Sequence, residues 1–565
     1  MKQILSIFLY LYIYIPFSGS LLSQNIALHI EAEKELTQGL KDSLDIRSRF
    51  ENEATLRLEA DSLLQRFQRL GFLDVKLLSL RKRNDSVYGA KYRLGNRWDV
   101  LKLFYSETDF DPNELEEISN EVTSSYFVIP IYRSEEILNY LTLLKTEQGK
   151  PFAKLSLVNL TKDTNKQLNA DLILTTGRVR TIDQLVIKGY EKFPRSYLRH
   201  YAGIKRGAVF NQRKVIEQND LLDNLGFVQT VKAPEALFRE DSTSVYFYLQ
   251  KRNNNLFDGI LGFATNEDTQ KLEFNGYLNL ELNNNLNYGE QLLINYKSDG
   301  RDQENFRVRA SLPYLFQTPF GLSGELKIFK RDSTFSTTDQ QVRVSYQLHP
   351  SAQIYAGYKA YESSNLLDSI VAGSTVMDFN SKYLLAGGSY VRQQRRNFFP
   401  IQTFVGLDAE IGNRSTNSGS EAQFRIHSTL NHIFNLNNRN SIYVNNSTSL
   451  LSSETYLTNE LFRFGGINSI RGFSENSIDA SLFSVLNTEY RYLLNNSIYL
   501  HSIIDLAYFE NQTLNLKEEL FSFGFGLGFG TEAGVFKLNF ANGISGSENF
   551  KFSNSKIHIS LSSRF

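Results

Sequence analysis

Gln341-Val-Arg-Val-Ser-Tyr-Gln-Leu348 alternates without a break. Val342, Val344, Tyr346 and Leu348 share one side of an extended chain, and Arg343, Ser345 and Gln347 share the other, because successive strand side chains point to opposite faces. The pattern returns upstream, where Leu272, Phe274, Leu278, Leu280 and Leu282 oppose Glu273, Asn275, Tyr277, Asn279 and Glu281. It returns once more at the C-terminus, where Ile557, Ile559, Leu561 and Phe565 oppose His558, Ser560, Ser562 and Arg564. Helical periodicity disappears after Asn255. Sixteen alternating segments follow, with starts near 256, 271, 288, 303, 320, 336, 351, 380, 400, 421, 439, 480, 495, 520, 533 and 554. Periodicity alone leaves two architectures open: a soluble sandwich with apolar faces inside, or a membrane barrel with apolar faces on lipid and polar faces on a wet lumen. Segments of about 9–14 residues are long enough to cross a bilayer at a tilt. The even count and the terminal Phe565 also point to the barrel over residues 255–565.

The N-terminus adds a reason. Lys2 precedes a nearly unbroken apolar run, Ile4–Phe17, and small-residue cleavage sites follow at Ser18-Gly19-Ser20 and at Ser23. The run is too short to span comfortably as an anchor, so residues 1–23 are expected to be a signal peptide, cut after Ser20 or Ser23. No stretch of the chain has 18 consecutive apolar residues, which leaves a periplasmic, extracellular or outer-membrane protein.

Between about 25 and 253 a phrase recurs: amphipathic helix, Gly, aromatic residue, strand. Leu63–Leu70 runs into Gly71-Phe72, Ile137–Lys145 into Gly149-Lys150-Pro151-Phe152, and Val215–Leu225 into Gly226-Phe227. The three glycines fall 78 and 77 residues apart, a period that means one small domain repeated. Gly at the end of each helix permits the left-handed turn into the strand, and each Phe is expected to be the first buried residue of that strand. The third copy reads β-α-α-β-β: Ile182–Gly189, a short helix over Pro194–Tyr201, a second helix capped by Asn211, then Phe227–Lys232 and Ser244–Gln250. In the second copy, Asp99–Tyr105 opens and Leu168–Thr175 closes. The first copy is the least regular and is expected to lack a clean first strand. The divisions fall at 25–97, 98–177 and 178–253. The alternative is a set of unrelated α/β modules.

Composition excludes much chemistry. With 61 Lys+Arg against 61 Asp+Glu, no excess positive charge argues for nucleic acid. The chain has no Cys, so disulfides, thiolate nucleophiles, zinc–thiolate sites and a lipidated Cys are out. No nucleophile elbow, His-Glu-x-x-His helix or phosphate-binding loop occurs. His427 and His432, five apart, would face opposite sides of a strand. Glu273 and Glu281 read as lumen solvators rather than an acid–base pair. No enzyme, metal or cofactor is expected.

One connection differs from the rest. Glu454–Ala480 carries Leu461-Phe-Arg-Phe-Gly465-Gly466-Ile-Asn-Ser-Ile470-Arg471-Gly472-Phe473, and long loops usually have a job. Its Ile470-Arg471-Gly472-Phe473 resembles the signature of the inward-folded loop of the BamA/TamA superfamily of barrel-assembly and translocation proteins, and it follows the eleventh segment as it does there. Asn285–Tyr296 and Pro313–Leu322 resemble the family's early strands, and Asn487–Tyr492 its twelfth. Ile503–Ala507 resembles the inward Asp motif of the thirteenth, with Ala507 where the family has Gly and Ile503 where it has an aromatic residue. "VIKG…GAVFN…NLGFVQTV" in the third repeat resembles a polypeptide-transport-associated (POTRA) domain. Three such copies before sixteen strands look most like the TamA branch.

The residues carry their own argument at this loop. A guanidinium in a lumen needs acceptors, best a bidentate carboxylate. Ile504, Leu506 and Tyr508 share the lipid face, so Asp505 faces the lumen; the same count turns Glu489 inward with Arg491. Arg471 is expected to pair with Asp505, with Glu489 as second choice, while Gly465, Gly466 and Gly472 allow the tight turns of a folded-in loop. Gly259 and Gly262 thin the first strand, consistent with a weak seam against the last strand and Phe565.

The resemblance implies an outer-membrane factor with periplasmic POTRA domains. Its partners would be unfolded outer-membrane or surface proteins, the lipid bilayer, and a periplasmic or inner-membrane subunit. Clients would be inserted or translocated through the barrel seam. Alternatives are a two-partner secretion transporter for one exported protein, with Glu31–Ile46 as its plug helix, a passive porin, and a structural envelope protein.

Overall fold

In a computed structural model of the chain, the described residues are 26–33, 35–163, 166–265, 272–298, 303–367, 375–394, 396, 398–531, 534–546 and 555–563. The expected signal segment and Phe565 lie outside them. So do the side chains of 260–275, 534 and 559–563, and with these the faces expected around Leu272 and Ile559. Chain contacts divide the molecule into two units, one running to Arg180 with Val209–Gln212, the other Thr181–Ala208 with residues from Arg213 on.

The first unit holds two small α/β domains. The first runs β1 (Ile26–Ala32), α1 (Gln38–Ser43), β2 (Arg49–Phe50), α2 (Glu53–Arg69), β3 (Lys76–Asn84) and β4 (Val87–Arg93), with sheet order β2-β1-β4-β3. Asn52 starts α2 by accepting the Thr55 N–H at 2.9 Å, which satisfies one of the free donors of the first turn. Leu56, Ala60, Leu63 and Phe67 follow at helical spacing and are buried as the apolar stripe of an amphipathic helix. Gly71 ends it at φ +98°, where a Cβ would lie 2.0 Å from the Trp98 carbonyl oxygen; only Gly fits. Contrary to the sequence expectation, this copy has a clean first strand, β1, parallel to β4 from Ala27 to Ala32. Ile26, Leu28 and Ile30 supply its period-two signal. Nor is Glu31–Ile46 one helix: Glu31 lies in β1, only Gln38–Ser43 is helical, and Leu36 and Leu44 join this domain's own core.

The second domain runs β5 (Val100–Phe104), α3 (Pro112–Glu116), β6 (Tyr126–Pro130), α4 (Ser134–Glu147), β7 (Lys154–Lys162) and β8 (Gln167–Thr175), with order β6-β5-β8-β7. Its core gathers Trp98, Leu103, Phe127 and Leu141. Phe152 is a correction: it is 54% exposed, whereas Phe72 and Phe227 are buried. All three rings precede their strands rather than opening them, but Phe72 and Phe227 follow their glycines directly, whereas Lys150-Pro151 separates Phe152 from its glycine and carries the ring around the turn to solvent.

The second unit opens with a third small domain: β9 (Gln184–Gly189), a π-helical turn at Tyr197–Tyr201, α5 (Gln212–Leu222), β10 (Val228–Phe238) and β11 (Thr243–Lys251), with β11 between β10 and a parallel β9. The π turn stands where a short helix was expected over Pro194–Tyr201. It delivers Tyr197 onto Phe227 (ring centroids 5.3 Å apart) and onto Tyr314 of a barrel turn (4.7 Å). Asn284 Nδ2 donates to Tyr190 Oη (2.9 Å), which donates to Asn287 Oδ1 (2.7 Å). His200 Nε2 donates to the Gln317 carbonyl at 2.7 Å.

Sixteen antiparallel strands then form one sheet in chain order. They are β12 (Leu256–Thr265), β13 (Leu272–Asn283), β14 (Gln291–Ser298), β15 (Gln303–Leu312), β16 (Phe320–Arg331), β17 (Phe335–His349), β18 (Ala352–Asn365), β19 (Phe379–Gln393), β20 (Ile401–Thr416), β21 (Gly419–Asn435), β22 (Asn440–Ser452), β25 (Leu482–Asn495), β26 (Ile498–Asn511), β27 (Leu516–Thr531), β28 (Gly534–Ser545) and β29 (Ser555–Ser563). Two short strands, β23 (Phe462–Phe464) and β24 (Ile478–Ala480), pair apart from this sheet. Burial on β17 settles which way the sheet is turned. Val342 is 53% exposed and Gln341 only 6%, the reverse of a soluble sandwich. The sheet is a barrel, apolar outside and polar inside.

Candidate functional site

The connection from β22 to β25 folds back on itself. β23 and β24 pair as a hairpin, and Leu457, Leu461, Phe464, Ile470 and Arg471 are all buried. Phe464 stacks on Phe483 of β25 at 4.7 Å and meets Phe509 of β26 edge-on at 5.6 Å. Gly472 takes φ +86°, and a Cβ there would lie 2.5 Å from the Gly543 backbone nitrogen. Bare backbone therefore rests on bare backbone, and Phe473 covers Gly543 beside it.

Arg471 stands at the tip, 4% exposed. Its Nη2 donates to Asp505 Oδ1 at 2.6 Å and its Nε to Oδ2 at 2.9 Å; its own backbone N–H donates to Oδ2 at 2.9 Å. Nη1 donates to Glu489, whose other oxygen accepts from Arg491 Nε at 2.7 Å. Asp505 is wholly buried. The parity argument thus holds on these strands, with Ile504, Leu506 and Tyr508 exposed on the outer face. Asn487 Nδ2 adds a bond to the Ser469 carbonyl at 2.7 Å. The arrangement is an electrostatic clasp.

Two further ion pairs hold the same loop, and sequence reading missed both. Glu460 accepts from Arg414 Nη1 at 2.5 Å, and Arg414 also reaches Glu421 at 2.8 Å. Asp479 takes Arg331 bidentately at 2.6 and 2.9 Å. Arg463 lies over Phe329 at 4.1 Å and Phe335 at 5.2 Å. A signal existed. Glu460 and Asp479 bracket the motif, and Arg331 and Arg414 have the lumen parity of their strands.

The seam residues fall differently. β12 and β29 are in contact, yet among the described residues no hydrogen-bonded ladder joins them. A Cβ on Gly259 would lie 2.9 Å from the Tyr277 carbonyl oxygen. This glycine therefore allows β12 to pack closely on β13. Gly262 pairs with Asn275 of β13. Glu281 accepts from Gln291 at 2.7 Å. His427 bonds Ser449 and His432 bonds Thr403, on opposite faces of β21.

Residues 180–252 match the family model described as POTRA, surface antigen variable number repeat. No curated protein matches the chain in sequence. Among solved structures, CdiB from Escherichia coli aligns with a TM-score of 0.52 at 13% identity over 91% of this chain and 98% of that one. CdiB from Acinetobacter baumannii aligns at 0.51 and 14% over 76% and 81%. BamA from Haemophilus ducreyi lacking POTRA domains 1-3 gives 0.49 and 15% over 76% and 93%. The chain thus carries a POTRA domain at 180–252 and has the fold of the two CdiB structures, here POTRA-like α/β domains followed by a sixteen-stranded antiparallel barrel.

Proposed function

We propose that the protein is an outer-membrane assembly or translocation factor. Its small domains receive periplasmic client chains, and its barrel inserts or passes them at the seam between β12 and β29. The observation that carries this reading is the loop clasp. The Ile470–Phe473 motif, for which a passive porin has no need, is the part of the loop fixed in the lumen, by Arg471 on two buried carboxylates. The contact between β12 and β29 without a described ladder supports a place where the wall can part. The outward apolar belt supports a bilayer setting, and no nucleotide is required, since a client folding into lipid can move downhill. Client strands would add to exposed edges of the small sheets, the general mode of β-augmentation.

Depletion of the protein followed by comparison of outer-membrane proteomes tests the reading. Broad loss of barrel proteins is the expected result. Loss of one secreted protein would instead support a dedicated two-partner exporter, and an unchanged proteome would refute both.

A further inference from the structure

In a chain whose basic and acidic residues balance, Gln184–Arg206 carries Lys188, Lys192, Arg195, Arg199, Lys205 and Arg206 against one carboxylate, Glu191. The third small domain gathers four of these cations around a groove of about 470 Å³. Leu185 and Ile187 of β9, with Leu198 and Ile204 beyond it, supply its aliphatic lining. Arg195, Arg199, Lys205 and Arg206 are its exposed rim. None of these four has a side-chain hydrogen bond or ion pair among the described residues, although surface cations elsewhere in the molecule, such as Arg57 and Lys232, pair with nearby carboxylates.

The last lining residue is Gln317, in the barrel turn that His200 grips. Three residues on, Phe320 faces outward on β16 beside Tyr346 (ring centroids 5.1 Å apart). Three residues of chain reach at most about 10 Å, so the groove opens where the apolar belt gives way to the headgroup region. Phe316 on the same turn is 94% exposed, and Leu286 and Tyr288 on the neighbouring turn are also exposed. Large apolar side chains at a barrel's rim suit a membrane interface.

We propose that this groove binds an anionic phospholipid of the adjacent leaflet, with the phosphate among the four cations and the upper acyl segment on the aliphatic lining. An acidic polypeptide would meet the charge but gain little from that lining, and a free phosphate would gain nothing. The location rests on the barrel's lying in a membrane; the lipid preference does not.

The test uses the purified full chain in dodecyl maltoside, titrated with dioctanoyl phosphatidylglycerol, dioctanoyl phosphatidylcholine, glycerol phosphate and a glutamate-rich peptide. Phosphatidylglycerol should bind about tenfold or more tighter than each of the others, from the attraction of four basic residues to an anionic head group. Substituting Arg195→Gln, Arg199→Gln, Lys205→Gln and Arg206→Gln together should abolish the preference while heat-modifiable gel migration shows the barrel still folded. Four equivalent substitutions in the first domain, at Arg47, Arg49, Lys76 and Arg81, should leave it intact. Equal binding of the two lipids, equal binding of glycerol phosphate, tighter binding of the peptide, or equal loss in the control variant would each overturn the proposal. A chain recovered from the soluble fraction with its lipid preference intact would remove the membrane assignment and leave the groove standing.

Discussion

The small domains and the barrel bury opposite kinds of side chain. In the second domain the interior is Trp98, Leu103, Phe127 and Leu141. In the barrel the buried set includes Arg414, Glu460, Arg471, Glu489 and Asp505, while Val342, Leu348 and Ile504 face out. A domain that folds in water is held by removing apolar surface from it. A barrel in lipid gains little from apolar contact inside, so specificity within its lumen falls to paired charges and hydrogen bonds. The same alternating sequence therefore has opposite meanings, depending on which solvent meets its apolar face.

The largest expected effect probes the water-soluble side. Phe127→Ala empties a fully buried position of the second domain and should cost about 3–5 kcal/mol. Trp98, the chain's one tryptophan, lies in that core and reports it. Its emission should shift at lower urea, and an unchanged midpoint would mean the domain is not held by this core. Next is the outer face of the barrel. Val342→Arg, mid-way along β17, should destabilise the inserted barrel by about 2–4 kcal/mol, read as a lower urea midpoint for the heat-modifiable band in vesicles. Tolerance without cost would argue that this face does not meet lipid.

Arg471→Ala tests the lumen. Breaking a buried pair typically costs about 3–5 kcal/mol, but Glu489 retains Arg491 and water can enter the lumen. The lower end or less is expected, with client handling impaired before the barrel unfolds. Asp505→Asn should be milder, since Asn keeps one acceptor. The double variant should be no worse than Arg471→Ala alone if the two act as a pair; strict additivity would show that they do not. The smallest effect belongs to Phe152→Ala. It should fall within about 0.5 kcal/mol, as for other surface positions, with the Trp98 transition unmoved, although Phe152 holds the same place in the repeat as the buried Phe72.

Strand parity was legible because it is local. A period of two fixes the face of Asp505 relative to its neighbours whatever the rest of the chain does, and the sixteen starts fall close to the strands observed. The glycine spacing was legible for a similar reason, since helix ends need a left-handed residue. In the irregular first copy the short alternating strand Ile26–Ala32 escapes pattern reading because its end overlaps the helix-like stretch that begins at Glu31. Phe152 departs from the repeat because a two-residue insertion turns its ring from the core to solvent without altering the pattern around it.

Sequence alone determined the period-two strands, which residues share a face, the repeat, and the choice of a carboxylate partner for Arg471; which face looks inward was decided by burial in the folded sheet. Tertiary structure alone decided that Arg331 meets Asp479 and Arg414 meets Glu460, partners 148 and 46 residues apart. It also decided that four cations of the third domain open beside Gln317. Backbone alternation tells which way each residue points, but which residues stand opposite one another across a lumen is set by how many strands close the wall and how they stagger, which no local pattern contains.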